Sequence, residues 1–156
     1  ETMITTTGTL TTVRGLRTLA VDIGGTNIKV LVLDEAGDPL SERTKLPTPQ
    51  PARPDPMIEL IAKLADGQPH YDRVSVGFPG VVQHGVIRTA PNLDPSWQGV
   101  DCDGRLEARL GKPVRVCNDA DMQGFGAIVG EGLEMVITLG TGMGSALFVD
   151  GILVPN

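Results

Sequence analysis

Two short glycine-rich segments have the composition of turns that bind anions. Gly24-Gly25-Thr26 and Gly140-Thr141-Gly142 each separate two apolar segments, so we predict that each joins one strand to the next. Backbone N–H groups in such a turn can line a concave surface that binds phosphate, and the Thr hydroxyl adds a donor. One such segment alone fits a plain hairpin turn equally well. Two in one chain favour a phosphate site divided between two turns.

The surrounding sequence excludes two common phosphate-binding motifs. Because the glycines lead into an apolar strand and not a helix, they are not a dinucleotide-binding fingerprint. The only Gly-Lys pair, Gly111-Lys112, is followed by Pro113, which excludes a P-loop. Asp22 lies just before Gly24, and a carboxylate there can hold Mg²⁺ through a water molecule. We therefore expect Mg²⁺ at the first glycine segment.

An amide and a carboxylate follow another predicted strand. Asn118 and Asp119 lie between the apolar residues 114–117 and a predicted helix over residues 120–129. The carboxylate can accept the proton of an attacking hydroxyl, which the amide orients. The alternative is a helix N-cap, which we would favour for this pair alone. Beside two phosphate-binding turns, we favour Asp119 as a general base. Asn92 fits either a turn residue or a ligand for a polar molecule.

Composition excludes several classes of function. The 156 residues carry a formal net charge of −6, which argues against a broad nucleic-acid surface. No apolar run reaches the roughly 18 residues needed to span a bilayer, so we expect no membrane partner. Cys102 and Cys117 fit neither a disulfide framework nor a metal-binding pair. We expect a protein of the reducing cytoplasm.

A mixed α/β fold would bring these residues together. We expect residues 1–17, which are rich in Thr, to be a leader or disordered tail. Residues 18–118 are predicted to form one domain, and residues 119–156 to begin a second. The predicted strands cover residues 19–23, 27–33, 40–45, 73–78, 81–82, 86–87, 114–117, 135–139, 146–149 and 152–154. The predicted helices cover residues 56–66, with Asp55 as N-cap, 101–110 and 120–129.

One internal similarity links the two glycine segments. Placing Gly24 over Gly140, an offset of 116 positions, also places Asp34 over Asp150. Common hairpin chemistry can produce so short a likeness by chance. If it is genuine, it predicts that a second copy of the same unit begins near Asp119 and is cut off.

Four motifs stand in a recognisable order along the chain. They are Asp22-Ile23-Gly24-Gly25-Thr26, Pro91-Asn92, Asn118-Asp119-Ala120 and Leu139-Gly140-Thr141-Gly142-Met143-Gly144. Together they resemble the ROK (repressor, open reading frame, kinase) family of sugar kinases in the actin-like superfamily. Residues 48–52, 79–86 and 96–99 are similar to its polyphosphate-dependent members.

The resemblance implies a ribonuclease-H-like domain that transfers a phosphoryl group from polyphosphate or ATP to the 6-hydroxyl of glucose. Asp119 would be the catalytic base, Asn118 and Asn92 would hold sugar hydroxyls, and Gly80 would approach the sugar by its backbone. Both glycine segments would bind the donor phosphates.

Members of the family continue beyond the position of Asn156, so the resemblance also implies a truncated second domain. We therefore expect a weakly active or inactive fragment that forms a homo-oligomer, such as a dimer. Two alternatives stay open. One is a non-catalytic sugar- or phosphate-binding fragment. The other is a sugar-responsive transcriptional regulator, which needs a helix-turn-helix before Leu19 that the Thr-rich segment does not resemble.

Overall fold

The protein is built on a five-stranded mixed sheet, in a computed structural model that describes residues 2–6, 9–13, 15–139 and 143–154. In chain order, the strands are β1 (Thr2–Thr6), β2 (Thr9–Val13), β3 (Thr18–Ile23), β4 (Asn27–Leu33), β5 (Thr44–Pro47), β6 (Arg73–Phe78), β7 (Val82–Gln83), β8 (Val86–Ile87), β9 (Val114–Asn118), β10 (Leu133–Leu139), β11 (Met143–Val149) and β12 (Ile152–Leu153). The helices are α1 (Pro54–Asp66), α2 (Cys102–Leu110) and α3 (Asp119–Phe125), with a 3₁₀ turn at Pro95–Trp97. The α/β class with a mixed sheet is confirmed.

The central sheet has the order β5-β4-β3-β6-β9 and is packed on one face by α1 and α2. In β3, Leu19, Val21 and Ile23 are buried, whereas the alternate residues Ala20 and Asp22 are partly exposed. This period of two is typical of a strand with one face against the core. The polar residues of β3 therefore lie on the face opposite these two helices.

The carboxyl ends of β3, β6 and β9 meet at one edge, because these three strands are parallel. Asp22 of β3 is paired with Gly77 of β6, and Phe78 of β6 is paired with Asn118 of β9. Open α/β sheets collect their ligand sites at this edge. The candidate residues at the ends of these three strands therefore lie together at one edge of the sheet.

Helix α3 connects the central sheet to a second sheet of order β10-β11-β12. Met122 lies over β6, where its sulfur is 3.9 Å from the Ser75 hydroxyl. On the other side of the helix, a Cβ added at Gly124 would lie 2.6 Å from the ring of Phe148. The residue at 124 must therefore be very small for β11 to pack against the helix.

The strands on either side of the two glycine segments are paired in a similar way. β11 has the bounds of β4 displaced by 116 positions, and β10 ends 116 positions after β3. Their pairing differs by one residue, since Val21 faces Val30 whereas Ile137 faces Ser145. The internal similarity therefore extends to the strands, and the boundary between two domains stays a prediction.

Strand β5 begins later than we predicted. The expected strand over residues 40–45 is observed only from Thr44, opposite Val30. Before it, the Leu40 N–H donates to the Val32 carbonyl at 2.8 Å and the Ser41 hydroxyl accepts from the Val32 N–H at 2.9 Å. These hydrogen bonds hold a bend at residues 40–41, so regular pairing between β4 and β5 begins only at Thr44.

Two helix boundaries also differ from the prediction. Helix α1 begins at Pro54 after Arg53, so Asp55 lies in the first turn instead of at the N-cap. A negative charge there still favours the helix N-terminus. Helix α3 ends at Phe125 and does not reach residue 129, because the chain turns at Gly126, whose N–H donates to the Gln123 carbonyl at 3.1 Å.

The Thr-rich segment contains two paired strands among its described residues, and its interpretation as a leader or tail stays a prediction. β1 and β2 pair antiparallel, with Thr2 opposite Val13. The described residues of 2–17 contain no helix, so no helix-turn-helix is found among them. Arg17 is attached to the central domain, since its N–H donates to the Asp72 carboxylate at 2.8 Å. Among the described residues, no helix has both the length and the apolar character to cross a membrane.

Candidate active site

A cleft of about 540 Å³ lies at the carboxyl edge of the central sheet, between it and the β10–β11 hairpin. It contains most of the candidate residues that the sequence identified. Those that line it are Asp22, Gly24, Gly25, Gly80, Asn92, Asn118 and Asp119. Further polar lining residues, which the sequence analysis missed, are Lys29, Thr89, Gln123 and Thr138.

The first glycine segment forms a tight turn, but not all of it faces the cleft. The Gly24 N–H donates to the Asn27 carbonyl at 3.0 Å, so this group is used within the turn. The Gly24 carbonyl accepts from the Thr48 hydroxyl at 2.6 Å, which fixes the turn from outside. Thr26 is exposed and is not among the residues that line the cleft, so its contact with phosphate stays a prediction. Anion binding by this turn would therefore depend on backbone N–H groups more than on the Thr26 hydroxyl.

The second glycine segment, Gly140-Thr141-Gly142, lies outside the described residues. Its neighbours Leu139 and Met143 line the same cleft as Gly24 and Gly25. The proposal that the two segments share one donor site stays a prediction.

Asn118 is the N-cap of α3, as the simpler of our two interpretations predicted. Its Oδ1 accepts from the Ala120 N–H at 2.8 Å. Its Nδ2 donates to the Gly80 carbonyl at 2.9 Å, so one side chain joins the segments that follow β9 and β6. The amide retains one further N–H, which can meet a ligand hydroxyl.

Asp119 is the first residue of α3, and its side chain lines the cleft. Burial raises the pKa of Asp119 above its ordinary value of 3.8. A hydrogen bond from the Ala120 N–H opposes this shift, and the negative charge of Asp22 adds to it. A carboxylate with a raised pKa binds a proton more strongly than an ordinary Asp. Asp119 can therefore serve as a general base, in addition to supporting the helix N-terminus.

Lys29 is the basic side chain that lines this cleft in the described part of the chain. It lies directly opposite Asp22 in the β3–β4 pair, and its Nζ donates to Asp22 Oδ2 at 2.8 Å. The side chains are 38% and 41% exposed, respectively. The signal for this pair was present in the sequence, because a short hairpin places residues on either side of its turn opposite one another.

Asp22 and Asp119 are the carboxylates available for a metal ion. Among the described residues, no cluster of three His, Cys, Asp or Glu side chains could hold one. Mg²⁺ in phosphoryl-transfer sites is commonly held by one or two carboxylates together with substrate phosphates and water. Two carboxylates on one cleft fit that mode of binding, and a role of Asp22 in holding Mg²⁺ through water stays a prediction.

Three remaining residues are described by their backbone contacts or their packing: Gly80, Asn92 and Trp97. A Cβ at Gly80 would overlap the Thr89 carbonyl oxygen, so only glycine fits between that carbonyl and the cleft. Asn92 lies against the first glycine segment, since a Cβ at Gly25 would be 3.3 Å from its carbonyl oxygen. Trp97 is fully buried and donates its indole N–H to the Ala52 carbonyl at 2.8 Å, as expected of a packing residue.

Comparison with known proteins identifies the family. The model of the ROK family matches residues 18–155. A polyphosphate glucokinase of Mycobacterium tuberculosis is 41% identical over 144 residues, which cover 87% of this chain and 54% of the relative. The chain spans about half the length of the curated relatives that it matches.

Solved structures agree with this result. The inorganic polyphosphate/ATP-glucomannokinase of Arthrobacter sp. strain KM is 44% identical with a TM-score of 0.81, over 90% of this chain and 61% of that one. A ROK glucokinase of Streptomyces griseus, solved in complex with glucose and AMPPNP, is 33% identical with a TM-score of 0.77, over 88% and 46% of the two chains. The fold is that of the actin-like ROK sugar kinases, and the chain belongs to the ROK family.

Proposed function

We propose that the natural gene product is a glucokinase that transfers the terminal phosphoryl group of polyphosphate or ATP to the 6-hydroxyl of glucose. The observation that carries the proposal is that Asp119, Gly24 and Gly25 line one cleft. A carboxylate that can accept a hydroxyl proton and a turn that can bind phosphate therefore lie on the same cleft. The names of the Arthrobacter and Streptomyces griseus relatives, which include polyphosphate, ATP and glucose, support the choice of substrates.

In this reaction Asp119 accepts the proton of the 6-hydroxyl as the sugar oxygen attacks the terminal phosphorus. The bond from phosphorus to the bridging oxygen breaks, and the shortened donor leaves with the electron pair. The burial that raises the pKa of Asp119 strengthens it as a base. Asn118 and Asn92 would orient sugar hydroxyls, and the Gly80 backbone would lie beside the sugar.

Mg²⁺ would be held through water by Asp22 together with the donor phosphates. When bound, it would neutralise charge on those phosphates. The protein contributes the position of the base, the turn and the sugar-orienting amides.

We further propose that the 156-residue polypeptide alone phosphorylates glucose slowly. The Asp22 and Lys29 side chains are 41% and 38% exposed, so water reaches the donor end of the cleft. Phosphoryl transfer depends on positioning and on charge stabilisation where water is excluded. Kinases typically turn over at about 1 to 100 per second, and the 156-residue polypeptide is expected to be far slower.

The test is product formation by the gene product from glucose with either donor. Glucose 6-phosphate is measured by a coupled dehydrogenase assay, and 6-deoxyglucose, which lacks the acceptor hydroxyl, serves as the control. Glucose 6-phosphate with either donor supports the proposal. Calorimetric binding of glucose with no product would instead indicate a non-catalytic sugar-binding protein.

A further inference from the structure

We propose that Thr48 and Gln50 are positioning residues, which hold the turn at residues 24–26 in the orientation that can bind the donor. This inference rests on the proposed function and concerns the same cleft. Thr48 directly follows β5 and is only 6% exposed. Neither residue is among the described residues that line the cleft, so both act through the turn and do not touch the donor.

The first argument is that the segment after β5 donates to the carbonyl groups of the turn. The Thr48 hydroxyl donates to the Gly24 carbonyl at 2.6 Å, and the Thr48 N–H donates to the Thr26 carbonyl at 2.9 Å. Between these two bonds, the Gln50 side-chain amide donates to the Gly25 carbonyl at 3.4 Å. Three successive carbonyl groups are therefore held on the side of this segment.

The second argument is that two N–H groups of the turn stay available. The N–H groups of Gly25 and Thr26 have no acceptor among the described residues. In a trans peptide unit the N–H points opposite to the carbonyl of the preceding residue. A bond to the Gly24 carbonyl thus directs the Gly25 N–H, and a bond to the Gly25 carbonyl directs the Thr26 N–H. Successive free N–H groups of this kind form an anion-binding concavity.

The third argument is that Thr48 is itself held from both sides. Before it, Pro47 on β5 is paired with Asn27 on β4. After it, Ala52 is buried, and its carbonyl accepts the indole N–H of the fully buried Trp97 at 2.8 Å. Because Thr48 lies between a paired strand and a buried anchor, it can fix the peptide units of the turn against rotation.

The first experiment measures binding of tripolyphosphate to the natural gene product by calorimetry, in buffer without divalent cations. Thr48→Val keeps the branched shape and removes the hydroxyl, so it should weaken binding about fivefold, the effect of one ordinary hydrogen bond. Thr48→Ser keeps the hydroxyl and should restore binding. Thr44→Val is the matched control on β5, because that hydroxyl accepts from Gln68 Nε2 at 3.1 Å away from the cleft.

Turnover separates positioning from a purely structural role. Thr48→Val should raise the KM of either donor about fivefold and leave kcat and the glucose KM within about twofold, since lost binding that is common to ground and transition states changes KM alone. A purely structural Thr48 would lower the stability to urea and leave the donor KM unchanged. Thr48→Ser should return the donor KM to that of the wild type.

The proposal is wrong if Thr48→Val binds tripolyphosphate as the wild type does, or if Thr48→Ser binds as weakly as Thr48→Val. Gln50 is exposed, so Gln50→Leu provides the test if Thr48→Val does not fold. It should weaken binding about twofold, because its bond is long, and unchanged binding would then overturn the proposal. Absence of glucose phosphorylation by the wild type would overturn the proposed function alone, since the calorimetry still decides the role of Thr48.

Discussion

Replacing Asn118 tests how the two sides of the cleft are held together. Its Oδ1 caps α3 at the Ala120 N–H, and its Nδ2 donates to the Gly80 carbonyl at 2.9 Å. Loss of a cap costs about 0.5 to 2 kcal/mol, and loss of a hydrogen bond about 1 kcal/mol. The Ala120 N–H also donates to Asp119 Oδ1 at 2.8 Å, so the lower end of the capping range applies.

These values predict that Asn118→Ala lowers the free energy of unfolding by about 1.5 kcal/mol. Asn118→Ser retains a capping oxygen and loses only the bond to Gly80, so it should cost about 1 kcal/mol. Asp101 caps α2 by accepting from the Gly104 N–H at 2.9 Å and provides the matched control. Asp101→Ser should be nearly neutral, because a Ser cap replaces an Asp cap well.

Urea denaturation followed by circular dichroism measures these differences, and 1 kcal/mol corresponds to roughly 2 to 4 °C in Tm for a chain of this size. The reasoning is refuted if Asn118→Ser is as stable as the wild type. It is also refuted if the Ser substitutions at Asn118 and Asp101 have the same effect, since capping alone would then account for Asn118.

Three further predictions follow from the charges and exposed surfaces. Because the Asp22 charge raises the pKa of Asp119, Asp22→Asn should move the acid limb of the kcat/KM profile to lower pH; an unmoved limb would contradict this. Burial raises the pKa of the Cys117 thiol from 9.0 to about 11, so iodoacetamide at pH 8 should label it about a hundredfold more slowly than a free thiol, as measured by mass spectrometry. Met135 and Ile137 are 63% and 55% exposed on the edge strand β10, so we propose that the 156-residue polypeptide forms a dimer through this sheet. Light scattering should show Ile137→Lys to be monomeric, and a monomeric wild type at every concentration would exclude the dimer.

The sequence predicted the main strands because their pattern is strong and local. Residues 27–33 and 73–78 were predicted with the bounds that the structure shows, since their apolar residues end at clear turn signals. Strand β5 was misplaced because the bend before it depends on the Ser41 hydroxyl bonding to β4, which no local pattern reveals. The end of α3 was missed for a similar reason, because its length is limited by the turn at Gly126.

The candidate site was predictable where function depends on a local motif. Asp22, Asn118 and Asp119 were found because each lies at or next to the carboxyl end of a strand, and parallel strands bring such ends together. Lys29 was missed because its importance arises from pairing across β3 and β4 and from its partner Asp22. Thr26 was included because its hydroxyl suits phosphate, and this role stays a prediction because the residue is exposed and does not line the cleft.

The most direct test of the account is the turnover of Asp119→Asn in the natural gene product, measured as glucose 6-phosphate formed from glucose and either donor. Loss of a general base should lower kcat by about 10² to 10⁴, while glucose affinity measured by calorimetry stays within about twofold. Asp66→Asn, which makes the same change at the exposed end of α1, should retain wild-type turnover. If Asp119→Asn keeps kcat within a few fold of the wild type, Asp119 only supports the N-terminus of α3 and the proposed mechanism is wrong.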